Sequence, residues 1–271
     1  MCAGTGGHAF CILSMETAEV DKSAREAIGN PCKSAAMQRS YEKWYSPALS
    51  RDMEILHFGW SGFPVILFPT SMGRFFQYED SGTIERLTPK LDAGELQLFC
   101  VDSVDAESWY NEGIPPPQRA RRHEQYDAYI RDEAVPFAQH RAQRGDLGLF
   151  GCSFGGYHVA NFAGRHPELV TKAVAFSGVF DVRRFTDGYW DDADYYNSPA
   201  DFIANAWGEQ LDRLREVEWA LATGEYDALA PDHRNFDRVL SDRGIAHTAE
   251  LWQGINGHDW PSWNDAVVRL L

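Results

Sequence analysis

Residues equipped for chemistry gather in three short segments of the sequence. The first is Gly151-Cys152-Ser153-Phe154-Gly155, with Gly156 directly behind it. An apolar run at 147–150 leads into this turn and a helical stretch at 156–165 leads out of it. A strained strand-to-helix turn that presents a serine hydroxyl needs this context, because bulky neighbours would block the turn. The helix start also brings backbone N–H groups and a partial positive charge to the serine. A serine is a weak nucleophile until a base takes its proton, and the base needs an acid to orient it.

The other two segments supply those partners. After the apolar run 217–222 the chain reads Thr223-Gly224-Glu225-Tyr226-Asp227, and after 248–252 it reads Gly254-Ile255-Asn256-Gly257-His258. His258 is the candidate base, since no other histidine follows the last strand. Asp227 is the first choice of acid and Glu225 the second; Asp232 ranks third because it belongs to the following helix. Attack on a carbonyl also creates an oxyanion, which needs two N–H donors. One is the backbone of Phe154, next to the nucleophile. The other must come from the loop 69–74 after the strand 64–68, where Ser71 is best placed.

Nearby reactive groups have plainer expectations. Side chains alternate along a strand, so Cys152 should face the core where Ser153 faces a pocket. Cys100, in another apolar run, reads the same way, and His158 reads as a packing residue on the helix after Ser153. The remaining histidines show no H-x-x-H or HExxH spacing, so no metal is expected. The five cysteines include no C-x-x-C pair, which favours a reducing, cytoplasmic setting.

The elements that must position these groups are short apolar strands alternating with helices. Strands are expected at 53–58, 64–68, 96–101, 147–150, 173–176, 217–222 and 248–252. Helices are expected at 115–143 (kinked at Pro136), 156–165, 231–243 and 260–271. The helix 231–243 has Pro231 at its entry, Phe236, Val239 and Leu240 along one face, and Gly244 past its end. Continuous apolar strands followed by helices imply a mostly parallel sheet covered on both faces, the α/β class. One stretch breaks the rhythm: 180–207, rich in Tyr, Trp and Asp, is expected to form a short cap over the strand ends. Its Tyr189 and Trp190 are candidate substrate contacts. Residues 1–36, rich in Gly, Ala and Ser, read as a disordered leader before a single domain at 37–271.

The 271 residues suit one such domain, and a 44% hydrophobic content suffices for a core. A formal net charge of −15 argues against nucleic-acid partners, which call for a basic face. No run approaches the ~20 apolar residues of a membrane span.

The elbow GCSFGGYHVANFAGRHPE, the segment GYWDDADYYNSP and the ending NGHDWPSW resemble the esterase D superfamily. That family includes feruloyl and acetylxylan esterases, S-formylglutathione hydrolases and mycolyltransferases, and the resemblance runs over 53–271. It implies an α/β-hydrolase fold and a serine carboxylic-ester hydrolase working through an acyl-enzyme on a small-molecule ester, without a cofactor. It also implies an acid from a Gly-x-x-Asp turn, which matches Gly224 to Asp227. The family's usual His-Gly oxyanion dipeptide corresponds here to Pro69-Thr70. Two other readings stand beside this one: an acyltransferase resolving the same acyl-enzyme with another acceptor, and a binding protein on a retired scaffold.

Overall fold

Apolar runs long enough only for strands dominate the chain, and they assemble into one eight-stranded sheet. The structure, a computed structural model, describes residues 37–271; the expected leader at 1–36 lies outside the described residues. The strands are β1 (Arg39–Ser46), β2 (Arg51–Phe58), β3 (Phe63–Phe68), β4 (Leu96–Val101), β5 (Gly148–Cys152), β6 (Lys172–Phe176), β7 (Glu218–Gly224) and β8 (His247–Trp252). They lie in the order β1-β2-β4-β3-β5-β6-β7-β8. The pairs β1–β2 and β2–β4 are antiparallel and all others parallel.

Burial explains the sequence of each strand. The interior strands β4 and β5 are buried at every position, which is why they read as unbroken apolar runs. The edge strand β1 alternates exposed Arg39, Tyr41, Lys43 and Tyr45 with half-buried Ser40, Glu42 and Trp44. That polar alternation hides β1 from a search for apolar runs, and its charges also discourage pairing with a further strand.

Among the described residues ten α-helices accompany the sheet: α1 (Gln77–Asp80), α2 (Thr83–Asp92), α3 (Pro116–Tyr129), α4 (Val135–Ala142), α5 (Phe154–Arg165), α6 (Asp192–Tyr196), α7 (Pro199–Ala204), α8 (Gly208–Leu214), α9 (Ala230–Asp242) and α10 (Trp260–Leu270). On one face, Leu56, Val65, Leu67, Phe150 and Val174 pack with Leu87 and Leu91 of α2 and with Trp263 and Val267 of α10. On the other, Ile66, Phe68, Leu149, Ala173 and Leu221 pack with α3, α5 and α9 through Tyr126, Val159 and Phe236. Successive strand residues fall into opposite clusters, as the period of two requires. The sheet is therefore an α/β-hydrolase sheet with helices on both faces.

The stretch expected as one kinked helix is two helices joined by a π-helical turn, Ile130–Ala134. Pro136 follows immediately; its ring crowds the carbonyl four residues back and it lacks an N–H to donate, so the wider turn absorbs the fault. Region 180–207 is a 3-10 turn (Arg183–Phe185) followed by α6 and α7. Its Phe180, Phe202, Ile203 and Ala206 belong to the main core beside α5. No helix among the described residues is long and apolar enough to cross a membrane.

Candidate active site

Parallel register brings the ends of five strands to one edge of the sheet. Phe68 of β3 pairs with Gly151 of β5, Cys152 with Phe176 of β6, and Phe176 with Ala222 of β7. Ser153 therefore leaves the sheet between the β3 loop and the ends of β6 and β7.

Ser153 holds φ 56° and ψ −121°, a backbone region that costs a non-glycine residue roughly 1–3 kcal/mol. Its surroundings enforce that conformation. The Ser153 N–H donates to Phe176 O at 2.8 Å, and its carbonyl accepts from the Gly156 N–H at 2.9 Å. A Cβ on Gly151 would overlap the carbonyl of Gly155, and a Cβ on Gly155 would overlap the carbonyl of Phe68. The two flanking glycines thus permit close backbone approach, both within the elbow and between α5 and the β3 loop. Beneath the turn the Tyr78 hydroxyl donates to Phe68 O at 2.7 Å and accepts from the Cys152 N–H at 3.3 Å. Cys152 is fully buried, and that burial raises its thiol pKa well above the ordinary range. It packs with Phe150 and Phe176 on the α2/α10 side of the sheet.

The candidate base and acid sit on adjoining loops. Ser153 Oγ lies 3.1 Å from His258 Nε2, while His258 Nδ1 lies 3.0 and 3.1 Å from the Asp227 carboxylate oxygens. A carboxylate only accepts, so Nδ1 carries the proton and Nε2 is free to accept from the serine. Asp227 Oδ2 also accepts from the Thr223 hydroxyl at 3.0 Å, and Oδ1 from the Leu229 N–H at 2.8 Å. Burial by itself would raise the pKa of Asp227. Hydrogen bonds from His258 and the Leu229 amide, with the charge interaction of His258, outweigh it and lower the pKa to about 2.

The loops meet backbone to backbone. Glu225 N–H donates to Trp252 O at 2.9 Å and Tyr226 N–H to Ile255 O at 3.0 Å. A Cβ on Gly224 would overlap the carbonyl of Asn256, so only glycine lets the loops close this far. Asp259 then caps α10 by accepting from the Ser262 N–H at 2.9 Å, which anchors the chain one residue beyond the base. The two other acids have different partners: Glu225 accepts from the Gly254 N–H at 2.8 Å, and Asp232 pairs with Arg184 at 2.6 Å.

On the opposite side of Ser153, the amides of the loop 70–73 can be accounted for singly. Thr70 N–H donates to Gln77 Oε1, Met72 N–H to Asp105 Oδ2, and Gly73 N–H to Thr70 O, all between 2.8 and 3.0 Å. Among the described residues only the Ser71 N–H of that stretch has no acceptor. Phe154 opens α5, so its N–H has no partner within the helix either. The Ser71 hydroxyl meets Tyr110 Oη at 2.7 Å. Tyr110 packs edge-on against the Phe154 ring at 5.0 Å, and Phe185 packs against both, at 5.1 Å from Tyr110 and 5.4 Å from Phe154.

Tyr189 and Trp190 lie beyond Phe185, exposed at 42% and 38%. The Tyr189 hydroxyl donates to Asp191 at 2.9 Å, and the Trp190 ring lies 4.2 Å from the Arg183 guanidinium. Neither makes a hydrogen bond or ring contact with Ser153, His258 or Phe154. Four residues escaped the sequence reading: Thr223 and Ser177 beside Asp227, and Asp105 and Tyr110 beside the β3 loop. Their one signal is position, Thr223 at the C-terminal end of β7, Ser177 just past β6, and Asp105 and Tyr110 in the segment after β4, where parallel sheets carry their sites. Among the described residues no group of three or more His, Cys, Asp or Glu could hold a metal ion.

Solved structures share this architecture. The ferulic acid esterase from Anaeromyces mucronatus superposes with TM-score 0.67 at 12% identity, over 89% of this chain and 92% of that one. An S-formylglutathione hydrolase from Agrobacterium tumefaciens gives TM-score 0.68 at 14% identity, over 86% and 94%. The S-formylglutathione hydrolase from Staphylococcus aureus gives 0.62 at 19% identity, again over 86% and 94%. At such identities the likeness is one of fold. No curated protein matches the sequence significantly. A family model described as "Putative esterase" matches residues 99–270, well over half of the chain and including the elbow and both partner loops. The chain belongs to this esterase family and has the α/β-hydrolase fold.

Proposed function

We propose that the protein hydrolyses small carboxylic esters through an acyl-enzyme, with Ser153, His258 and Asp227 as its catalytic triad. The observation that carries this reading is the in-line hydrogen-bonded chain from Asp227 through His258 to Ser153 Oγ. Ser153 Oγ forms a bond to the ester carbonyl carbon while His258 Nε2 takes its proton. The negative charge moves to the carbonyl oxygen, where the Phe154 and Ser71 N–H groups receive it. The tetrahedral intermediate collapses by breaking the carbon–alkoxide bond, and His258 gives its proton to the departing alcohol. Water then attacks the acyl-enzyme with His258 as base, releasing the acid and restoring Ser153. Asp227 stays ionised throughout, orienting the ring and stabilising the imidazolium.

The half-buried rings of Tyr110 and Phe185 beside Phe154 offer an apolar wall for a small acyl or alcohol group. Ferulic acid esterases and S-formylglutathione hydrolases among the structural neighbours favour the same substrate size. The described cysteines, Cys100 and Cys152, are buried and unpaired, which fits a reducing, cytoplasmic setting. Labelling with a fluorophosphonate tests the reading. Wild type should take one equivalent at Ser153 and hydrolyse p-nitrophenyl acetate. Ser153→Ala, with unchanged circular dichroism, should do neither and lose at least about 10⁴-fold in kcat. Retained hydrolysis in that variant would refute Ser153 as nucleophile.

A further inference from the structure

The two oxyanion donors stand on different elements, Phe154 on the elbow helix and Ser71 on the loop after β3. Their separation must be held by something other than chain connectivity. The segment 105–110, which follows β4, touches both elements at two points. Asp105 Oδ1 accepts from His158 Nε2 of α5 at 2.9 Å, and Asp105 Oδ2 accepts from the Met72 N–H at 3.0 Å. Both side chains of that pair are almost wholly buried, 1% exposed for Asp105 and 2% for His158. At the other end of the segment, Tyr110 Oη meets the Ser71 hydroxyl at 2.7 Å while the Tyr110 ring packs on Phe154. The segment is itself tied together, since Tyr110 N–H donates to Asp105 O at 3.1 Å.

We propose that 105–110 is a two-point clamp that sets the distance between the Phe154 and Ser71 N–H groups, with Asp105 its principal positioning residue and Tyr110 its second. Met72 shows why a clamp is needed. It holds φ 53°, a left-handed conformation that a non-glycine residue keeps only when its surroundings over-determine it. Asp105 pins the Met72 amide, and the peptide that carries the Ser71 N–H is the one immediately before. Without that bond Met72 can relax to negative φ and the donor swings away. Oxyanion donors act strongly because they need no reorganisation during reaction, and a displacement of about 1 Å can cost about 10²-fold in rate. The clamp touches no reacting atom; it acts entirely through the two amides.

This inference rests on the proposed Ser153 nucleophile, and its test separates the two. Asp105→Ala removes both acceptors, so the His158 and Met72 bonds are both lost. Hydrolysis of p-nitrophenyl acetate should lose about 10- to 100-fold in kcat, with KM within about threefold. Affinity for an aryl trifluoromethyl ketone, whose adduct with Ser153 bears the same oxyanion, should fall by the same factor as kcat. Tyr110→Phe, a half-buried change that any fold tolerates better, should lose about 3- to 10-fold in both. A merely structural role for Asp105 would lower the melting temperature without this matched loss in kcat and ketone affinity. The clamp is overturned if folded Asp105→Ala keeps kcat within twofold of wild type, or loses kcat while binding the ketone normally. Should Asp105→Ala fail to fold, unchanged kcat and ketone affinity in Tyr110→Phe overturn it equally. Activity surviving in Ser153→Ala would instead remove the nucleophile assignment, and the clamp with it.

Discussion

The two sides of Ser153 are built by different means. On the acid–base side, the Asp227 and His258 loops are locked by direct backbone contact, with Gly224 against Asn256 and two amide–carbonyl bonds between them. On the oxyanion side, the loop 69–74 is tied to its surroundings by side chains: Gln77 to Thr70, Asp105 to Met72, Tyr110 to Ser71. A site locked by backbone should be indifferent to most side-chain truncations nearby and intolerant of one added methyl group. A loop held by side chains should show the reverse. Both solutions position groups to a fraction of an ångström, but they fail under opposite substitutions.

The sharpest way to break the acid–base side is through the one side chain on which it depends. Asp227→Asn should lower kcat about 10⁴-fold, the order seen when a triad histidine loses its orienting carboxylate. Glu225→Gln should stay within about threefold of wild type, because Glu225 bonds only the Gly254 amide. Near-normal Asp227→Asn with a crippled Glu225→Gln would move the acid to Glu225. The same pair of proteins reports on stability. Asp227 titrates near 2 in the folded state, below the ordinary ~3.9. Its ionisation therefore contributes stability that is fully present above about pH 4 and lost as the pH falls towards 2. Urea titrations should show the stability of wild type relative to Asp227→Asn falling by about 2 kcal/mol across that window.

The backbone lock itself is next. Gly224→Ala adds a methyl group where the Asn256 carbonyl already stands, so the loops must separate. A loss of about 1–3 kcal/mol in stability and about 10²-fold in kcat should follow. An active, fully stable Gly224→Ala would mean that the loops are less tightly joined than their contacts indicate.

The smallest effect belongs to a region outside both sides. Tyr189 and Trp190 are half-exposed and bonded within their own turn, to Asp191 and Arg183. Their joint replacement by Ala should change kcat/KM by a few-fold, about 2 to 10, and unequally across p-nitrophenyl esters of increasing chain length. A uniform profile with a large fall in melting temperature would assign them to anchoring alone, leaving Phe185 and Tyr110 as the contacts to probe.

Much of this architecture is local in origin, and that part is legible in the chain. The glycine spacing around Ser153, the buried runs of β3 to β7 and the Gly-rich approach to His258 each depend on residues within a few positions of one another. The strand β1 is missed because its half-exposed surface leaves a polar alternation, and α2 because Pro89 inside it reads as a helix breaker although Ile84, Leu87 and Leu91 share one face.

From sequence alone, a strand–turn–helix around Ser153, a candidate base at His258 and the parallel sheet are legible, because each is a short-range pattern of size, polarity and period. Which acid meets His258 is ranked but not decided by such patterns, Asp227 ahead of Glu225. Asp227 and Glu225 are two residues apart on one turn, and only the packing of that turn on 252–256 directs Asp227 inward and Glu225 to the Gly254 amide. Nor could Asp105 and Tyr110 be seen as partners of Met72 and Ser71, since those pairs are joined only when β4 is laid beside β3 in the sheet. Contacts between distant segments are decided by register and by the close approach of backbones, and neither is a property of any stretch of chain read by itself.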